Sequence, residues 1–149
     1  MKKSTFTLLL VLIILGGYLF SSTKDVKSYL LFFLSKDKKI LCEKVLSFLE
    51  DIKFKDFISA AKYHSLDDQK KVNIPVLIES LFHIKPEFLD IMDYKILETS
   101  LDSSGKRARI KAKSRIKVLN TSEIRTPEII FYFHKVGDQW YMELESSLH

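Results

Sequence analysis

The chain of 149 residues is poor in four residue types: it has one cysteine, one tryptophan, three prolines and four glycines. With Cys42 alone, no intrachain disulfide and no cysteine-cluster metal site can form, and a buried structural thiol is the reading left. So few prolines and glycines exclude a linker-rich or low-complexity protein, and no internal repeat is visible. The four histidines, His64, His83, His134 and His149, show no ligand spacing such as i,i+4, so no zinc site is expected. Neither a glycine-rich phosphate loop nor a G-x-S-x-G elbow occurs, which removes two common enzyme classes. No cofactor is implied.

What is present suits one small globular domain with an accessory segment: 46% of residues are hydrophobic and 29% charged. The accessory segment is N-terminal. Lys2 and Lys3 precede the apolar run Phe6 to Phe20 (FTLLLVLIILGGYLF), and the polar SSTKD follows, the layout of a bacterial-type secretion signal. The small-residue cleavage pattern is poor in GGYLFSS, which favours retention as an anchor. As a helix, Ser4 to Ser22 spans about 28 Å, close to the roughly 30 Å of a hydrocarbon core. Either outcome exports the remainder, facing the periplasm from an inner-membrane anchor or secreted after cleavage. No cysteine closely follows the run, so a lipid-modified N-terminal cysteine is excluded. The expected organisation is a signal peptide or signal anchor over 1–28, a linker or interfacial segment over 29–36 containing the apolar cluster Tyr29 to Leu34, and a folded domain over 37–149.

Within that domain the sequence predicts an α+β fold, helices first and strands after. Leu41, Val45, Phe48, Leu49 and Ile52 recur at spacings of three and four, one apolar stripe of a helix. The stripe shifts phase at Phe54, Phe57, Ile58 and Ala61, which implies a kink or a second short helix around Lys53. Ser65 and Asp68 stand in capping-box spacing. Pro75 and Pro86 precede the short apolar stretches Val76 to Phe82 and Phe88 to Met92, read as two short helices. From Asp93 the period changes to two, and strands are expected over Tyr94 to Leu101, Lys106 to Val118, Pro127 to Val136 and Gln139 to Ser146, helices packing on a curved antiparallel four-strand meander. A two-residue loop at Gly137 and Asp138 pairs Val136 with Gln139, His134 with Tyr141, Phe133 with Met142, Tyr132 with Glu143 and Phe131 with Leu144. Phe131, Phe133, Trp140, Met142 and Leu144 then share the core face, and Tyr132, His134, Tyr141, Glu143 and Glu145 face outward. Lys135 falls on the core side, with its head expected in water.

The most distinctive stretch is Lys106 to Lys117 (KRARIKAKSRIK), with seven basic residues and no acidic one. The chain has 24 Lys and Arg against 19 Asp and Glu, so without this stretch 17 basic residues face 19 acidic ones. One strand carries the whole basic excess. Alternation places Arg107, Arg109, Lys111, Lys113, Arg115 and Lys117 on one face and Ala108, Ile110, Ala112, Ser114 and Ile116 on the other. Adjacent cations lie about 6.7 Å apart and repel by roughly 0.6 kcal/mol per pair in water, so cross-strand acids must relieve the row. Glu98, Glu128, Glu143 and Glu145 are available. Such a stripe serves either as a solvated face guarding against edge aggregation or as a site for an anionic partner. In an exported, tethered domain, nucleic acid is an improbable partner, whereas anionic lipid and acidic envelope components are within reach. The outer face is also a candidate homodimer surface, with Tyr132 and Tyr141 near the axis.

The helical pair carrying Val45-Leu46-Ser47-Phe48-Leu49, with Asp56-Phe57 and Tyr63, followed by strands ending in the hairpin Phe131 to Leu144 (FYFHKVGDQWYMEL), resembles the nuclear transport factor 2-like (SnoaL-like, cystatin-like cone) superfamily over residues 37–149. The resemblance implies a curved sheet wrapped around a long helix. Enzymes of that superfamily, such as ketosteroid isomerase and scytalone dehydratase, carry Asp, His or Tyr inside the cone. Here the inward positions of the last three strands hold Ala, Ile, Ser, Phe, Met, Leu and Trp, without carboxylate or imidazole. Proton-transfer chemistry needs such a group within hydrogen-bond reach of substrate. The helices offer Asp56, Tyr63, His64 and His83 as candidate pocket groups. The leading expectation is a non-enzymatic binding or accessory module of the cell envelope, with a small-molecule isomerase or dehydratase using the cone as the alternative.

Overall fold

The structure, a computed structural model, describes residues 35–143. The segments 1–28 and 29–34, the end of the last expected strand, Leu144 and Glu145 lie outside the described residues. The apolar stripe forms α1 (Lys36–Lys53), an 18-residue helix that buries Leu41, Cys42, Val45, Phe48, Leu49 and Ile52. Its end is sharp. Lys55 takes φ +61°, its N–H donates to the Ile52 carbonyl (3.0 Å), and the Asp56 N–H donates to the Asp51 carbonyl (2.8 Å). Those paired bonds are a Schellman closure, ordinarily built on glycine. A lysine occupies the left-handed position because its ammonium is tied down, donating to the carbonyls of Pro86 and Leu89 at 2.5 Å each.

The chain then turns through α2 (Phe57–Ala61), α3 (Leu66–Gln69) and α4 (Ile74–Phe82). Each has a side-chain N-cap: Asp56 accepts from Ser59 N, Ser65 from Asp68 N, and Asn73 from Val76 N. Helix α4 thus starts two residues before the expected stretch, with Pro75 in its first turn. It closes on His83, which has left-handed φ (+54°) and donates its N–H to the Glu79 carbonyl.

The helix expected over Phe88 to Met92 is not formed. Pro86–Phe88 make one 3₁₀ turn, and strand β1 (Leu89–Leu101) starts immediately, five residues ahead of expectation. The reason is local: β1 carries irregularities between Ile91 and Asp93 and between Ile96 and Glu98. Each extra residue shifts the alternation by one, so Met92 and Leu97 blur the period of two and the apolar cluster imitates a helical one. The remaining strands are β2 (Arg107–Val118), β3 (Glu123–Arg125), β4 (Glu128–Val136) and β5 (Gln139–Met142). The antiparallel sheet runs β1-β2-β4-β5, and β3 pairs with the end of β2, so the described sheet has five strands where a four-strand meander was expected. Strand β3 escaped the sequence reading because its three residues are all exposed and show no alternation.

The sheet curls over α1. Its inner face contributes Ile91, Ile110, Ile116, Phe131, Phe133, Trp140 and Met142, all at most 1% exposed, and Phe48 of α1 meets Phe131 edge-on at 5.7 Å. The expected hairpin register is observed: Val136 pairs with Gln139, His134 with Tyr141 and Phe133 with Met142, and the Glu143 N–H donates to the Tyr132 carbonyl. Gly137 takes φ +58° in the two-residue turn, where a side chain would be strained.

Lys135 departs from expectation. Its head does not simply reach water; it lies 3.1 Å from Asp37 Oδ2 and 5.5 Å from the centre of the Trp140 ring. The Trp140 indole N–H also donates to Asp37 Oδ1 (3.1 Å), so one carboxylate in the first turn of α1 fastens the β4–β5 hairpin. The indole bond, then Lys135, holds the Asp37 carboxyl below its ordinary value of 3.8. A carboxyl depressed in the folded state stabilises above its unfolded value, and that stabilisation disappears as pH falls through the folded one. We expect Asp37→Ala to lower unfolding stability by about 1 kcal/mol at neutral pH, the clip being partly exposed. In urea titrations followed by Trp140 fluorescence, the gap between variant and parent should close in acid below the ordinary carboxyl value, and a gap independent of pH would contradict the clip.

Candidate functional site

The outer face of β2 is as the alternation implied. Ala108, Ile110, Ala112, Ser114, Ile116 and Val118 are buried, while Arg107, Arg109, Lys111, Lys113, Arg115 and Lys117 point away from the core and are exposed or half-buried. Cross-strand neighbours decide its electrostatics. Lys117 lies opposite Asp90, Arg115 opposite Asp93, Lys111 opposite Glu98, and Lys113 opposite Glu128 on the other side. The Lys111 ammonium meets the Glu128 carboxylate at 2.5 Å, and this contact, foremost, holds the Glu128 carboxyl below its usual range. Lys95 stands opposite Lys113 and adds a cation.

The stripe therefore has two halves. From Lys111 to Lys117 four carboxylates offset the row; Asp90 and Asp93 went unnoticed in the sequence because β1 was expected to begin at Tyr94. From Arg107 to Arg109 the cross-strand neighbours are His134, Tyr132 and Ser100, none of them acidic. The nearby Asp102 carboxylate is turned into its own hairpin, accepting from the Ser104 hydroxyl and from the N–H groups of Lys106 and Arg107. Tyr141 stacks obliquely beside His134 at 6.1 Å, and Glu143 lies 3.8 Å from His134 Nδ1. Two arginines with aromatic neighbours can take an anion bidentately while offering a flat apolar contact.

The candidate pocket groups do not converge. Asp56 is exposed and serves as the N-cap of α2, its carboxyl lowered by the Ser59 N–H. Tyr63 is half-buried, edge-on to Phe48 at 5.9 Å and under the Lys44 ammonium at 5.9 Å. Burial, with the Asp51 charge next, raises the pKa of its hydroxyl. Burial likewise raises the Asp51 carboxyl. Sequence reasoning missed Asp51 because it reads as a solvent-facing helix residue. The Tyr63 carbonyl accepts from Met142 N–H (2.8 Å), so this residue also shields the edge of β5. His83 is exposed at the end of α4.

His64 is fully buried. Its Nδ1 lies 3.3 Å from the Ala61 carbonyl, which can only accept, so Nδ1 carries the hydrogen, while Nε2 finds no partner among the described residues. Burial lowers its pKa from 6.5 and keeps the ring neutral. The other buried polar side chain among the described residues, Ser114, sits opposite Tyr94, whose hydroxyl donates to Glu50 on α1. Cys42 is buried with its sulfur 3.2 Å from the Thr99 hydroxyl, as a structural thiol should be. Among the described residues no cluster of three or more metal-ligating side chains occurs, and no helix is long and apolar enough to cross a membrane.

No family model matches the chain, and no curated protein matches its sequence.

A neutral buried histidine has a consequence in acid. The unfolded chain takes up a proton below 6.5 and the folded one resists it, so stability declines as pH falls through that value. We expect the unfolding free energy from urea titrations to drop between about pH 7.5 and 5.5, with a slope of at most about 1.4 kcal/mol per pH unit. His64→Leu should remove that part of the dependence. An identical pH profile in parent and variant would show that His64 is not its source.

Proposed function

We propose that the protein is an exported, membrane-anchored, non-enzymatic binding or accessory domain of the bacterial cell envelope. Its outer sheet face takes an acidic partner through Arg107 and Arg109. The observation that carries this reading is the contrast within β2: cross-strand carboxylates accompany the cations from Lys111 to Lys117, and none stands across from the two arginines. The N-terminal apolar run supplies the compartment. The packing of α1 against a curled sheet, with a Gly-Asp-x-Trp hairpin, supports assignment to the nuclear transport factor 2-like superfamily and its cone. Against the isomerase or dehydratase reading stands the inner face itself, where Phe48, Phe131, Phe133 and Trp140 are fully buried in the space a substrate would need.

Two measurements test the reading. In cells producing the full chain, we expect it in the membrane pellet, with the C-terminal domain digested by protease added to spheroplasts and spared in intact cells. A chain confined to the cytosol would end the proposal of export. For the face, full chain in neutral detergent should bind fluorescent polyglutamate in a salt-sensitive way, and Arg107→Glu with Arg109→Glu should weaken binding about tenfold. The same reversal at Arg115 and Lys117 should cost less, because their acids accompany them. Equal losses from both pairs would sink the two-halves argument.

A further inference from the structure

The helical side carries a second surface that the sheet does not explain. A groove where α2, α3 and α4 meet has Phe57, Ile58, Lys62, Lys70, Lys71 and Pro75 among its walls, and three lysines but no carboxylate line it. Its surroundings are apolar and open. Ile58 on α2 is 79% exposed, Leu66 on α3 76% and Val76 on α4 61%, and Phe54, in the turn before α2, is 68% exposed. Exposed side chains of this size, gathered together and rimmed by charge, mark an interaction surface. The acids on this corner are Asp56, engaged as the α2 cap, Asp67, which reaches Lys70 across 3.9 Å with both side chains in solvent, Asp68 beside it on α3, and the exposed Glu79 one turn beyond Val76 on α4; none of them lines the groove.

The chain's own apolar cluster is a poor occupant. Fully extended, Tyr29 to Leu34 reach about 20 Å, whereas the 18 residues of α1 place roughly 27 Å between the start of the folded domain and this corner. A bilayer is different. On the anchored reading above, on which this inference rests, Thr23 to Ser35 hold the domain within about 45 Å of a membrane. Large apolar side chains with lysines beside them are the side-chain set that settles at a headgroup boundary, the apolar groups inserting and the ammonium groups meeting phosphate.

We propose that the α2–α4 corner docks on an anionic bilayer surface, Ile58, Leu66 and Val76 entering the headgroup layer and Lys62, Lys70 and Lys71 lying level with the lipid phosphates. The helices cover the inner face of the sheet, so docking on this side leaves the arginine end of the outer face turned toward the envelope.

The test uses the full chain carrying Cys42→Ser and Ile58→Cys, labelled at position 58 with an environment-sensitive fluorophore. It is reconstituted into vesicles of phosphatidylcholine alone or with about one third phosphatidylglycerol. Flotation comes first, then quenching by aqueous iodide. In anionic vesicles we expect position 58 to be shielded, a label at Lys95→Cys on the outer sheet to remain accessible, and Lys62→Glu, Lys70→Glu and Lys71→Glu together to reduce the shielded fraction about tenfold. Amide exchange over 57–76 on unlabelled chain, slower in anionic than in neutral vesicles, should agree. A chain that floats while position 58 stays equally accessible in both vesicle types overturns docking and leaves the anchor standing. A chain that does not float overturns both. Shielding in detergent that grows with protein concentration assigns the corner to a second copy and overturns the lipid proposal.

Discussion

The structure depends on the burial of every second side chain of β2. Because Ala108, Ile110, Ala112, Ser114, Ile116 and Val118 fill the inner face, the six cations between them have one place to go. A slip of one residue would drive Arg109, Lys111 and Lys113 into the core, where an unpaired charge costs many times the roughly 1 kcal/mol of an ordinary contact. That penalty fixes the register of β2 against both β1 and β4, and with it the curl of the sheet. The small residues Ala108 and Ala112 matter for the same reason: across from them lie Phe133 and Ile129, so bulk on β4 is matched by its absence on β2.

Two polar ties hold the helical layer to this sheet at opposite ends of α1. At its start Asp37 joins Lys135 and Trp140; just past its end Lys55 spans the carbonyls of Pro86 and Leu89. Both use a charged group whose partners come from distant parts of the chain. Burial without specific contacts would let a smooth apolar helix slide or rotate in its groove, and these ties define its position. Tyr94 adds a third point through its bond to Glu50 in the last turn of the helix.

Much of this was legible because it rests on local periodicity. The stripe from Leu41 to Ile52, the alternation from Arg107 to Val118 and the Gly137 hairpin each signal their structure within a dozen residues. What escaped depended on distant partners. Met92 and Leu97 are bulge residues whose role exists only against β2, and they concealed the first half of β1 together with Asp90 and Asp93. Lys55 in a left-handed turn looks unfavourable until Pro86 and Leu89 are brought under its ammonium. The candidate pocket group Asp56 was visible as a carboxylate between helical stretches, but its work as the cap of α2 was hidden by the unmarked helix break before it.

The acids found on β1 alter what the basic strand means. A row of six cations would be a uniform patch, attractive to any polyanion and costly to fold. With Asp90, Asp93, Glu98 and Glu128 interleaved, the repulsion is relieved over most of its length, and the remaining charge is concentrated at Arg107 and Arg109, whose directly opposed residues are not acidic. On the helical side no carboxylate lines the groove holding Lys62, Lys70 and Lys71, and the apolar surface beside them is left open. The core accounts for neither feature, since both point away from it.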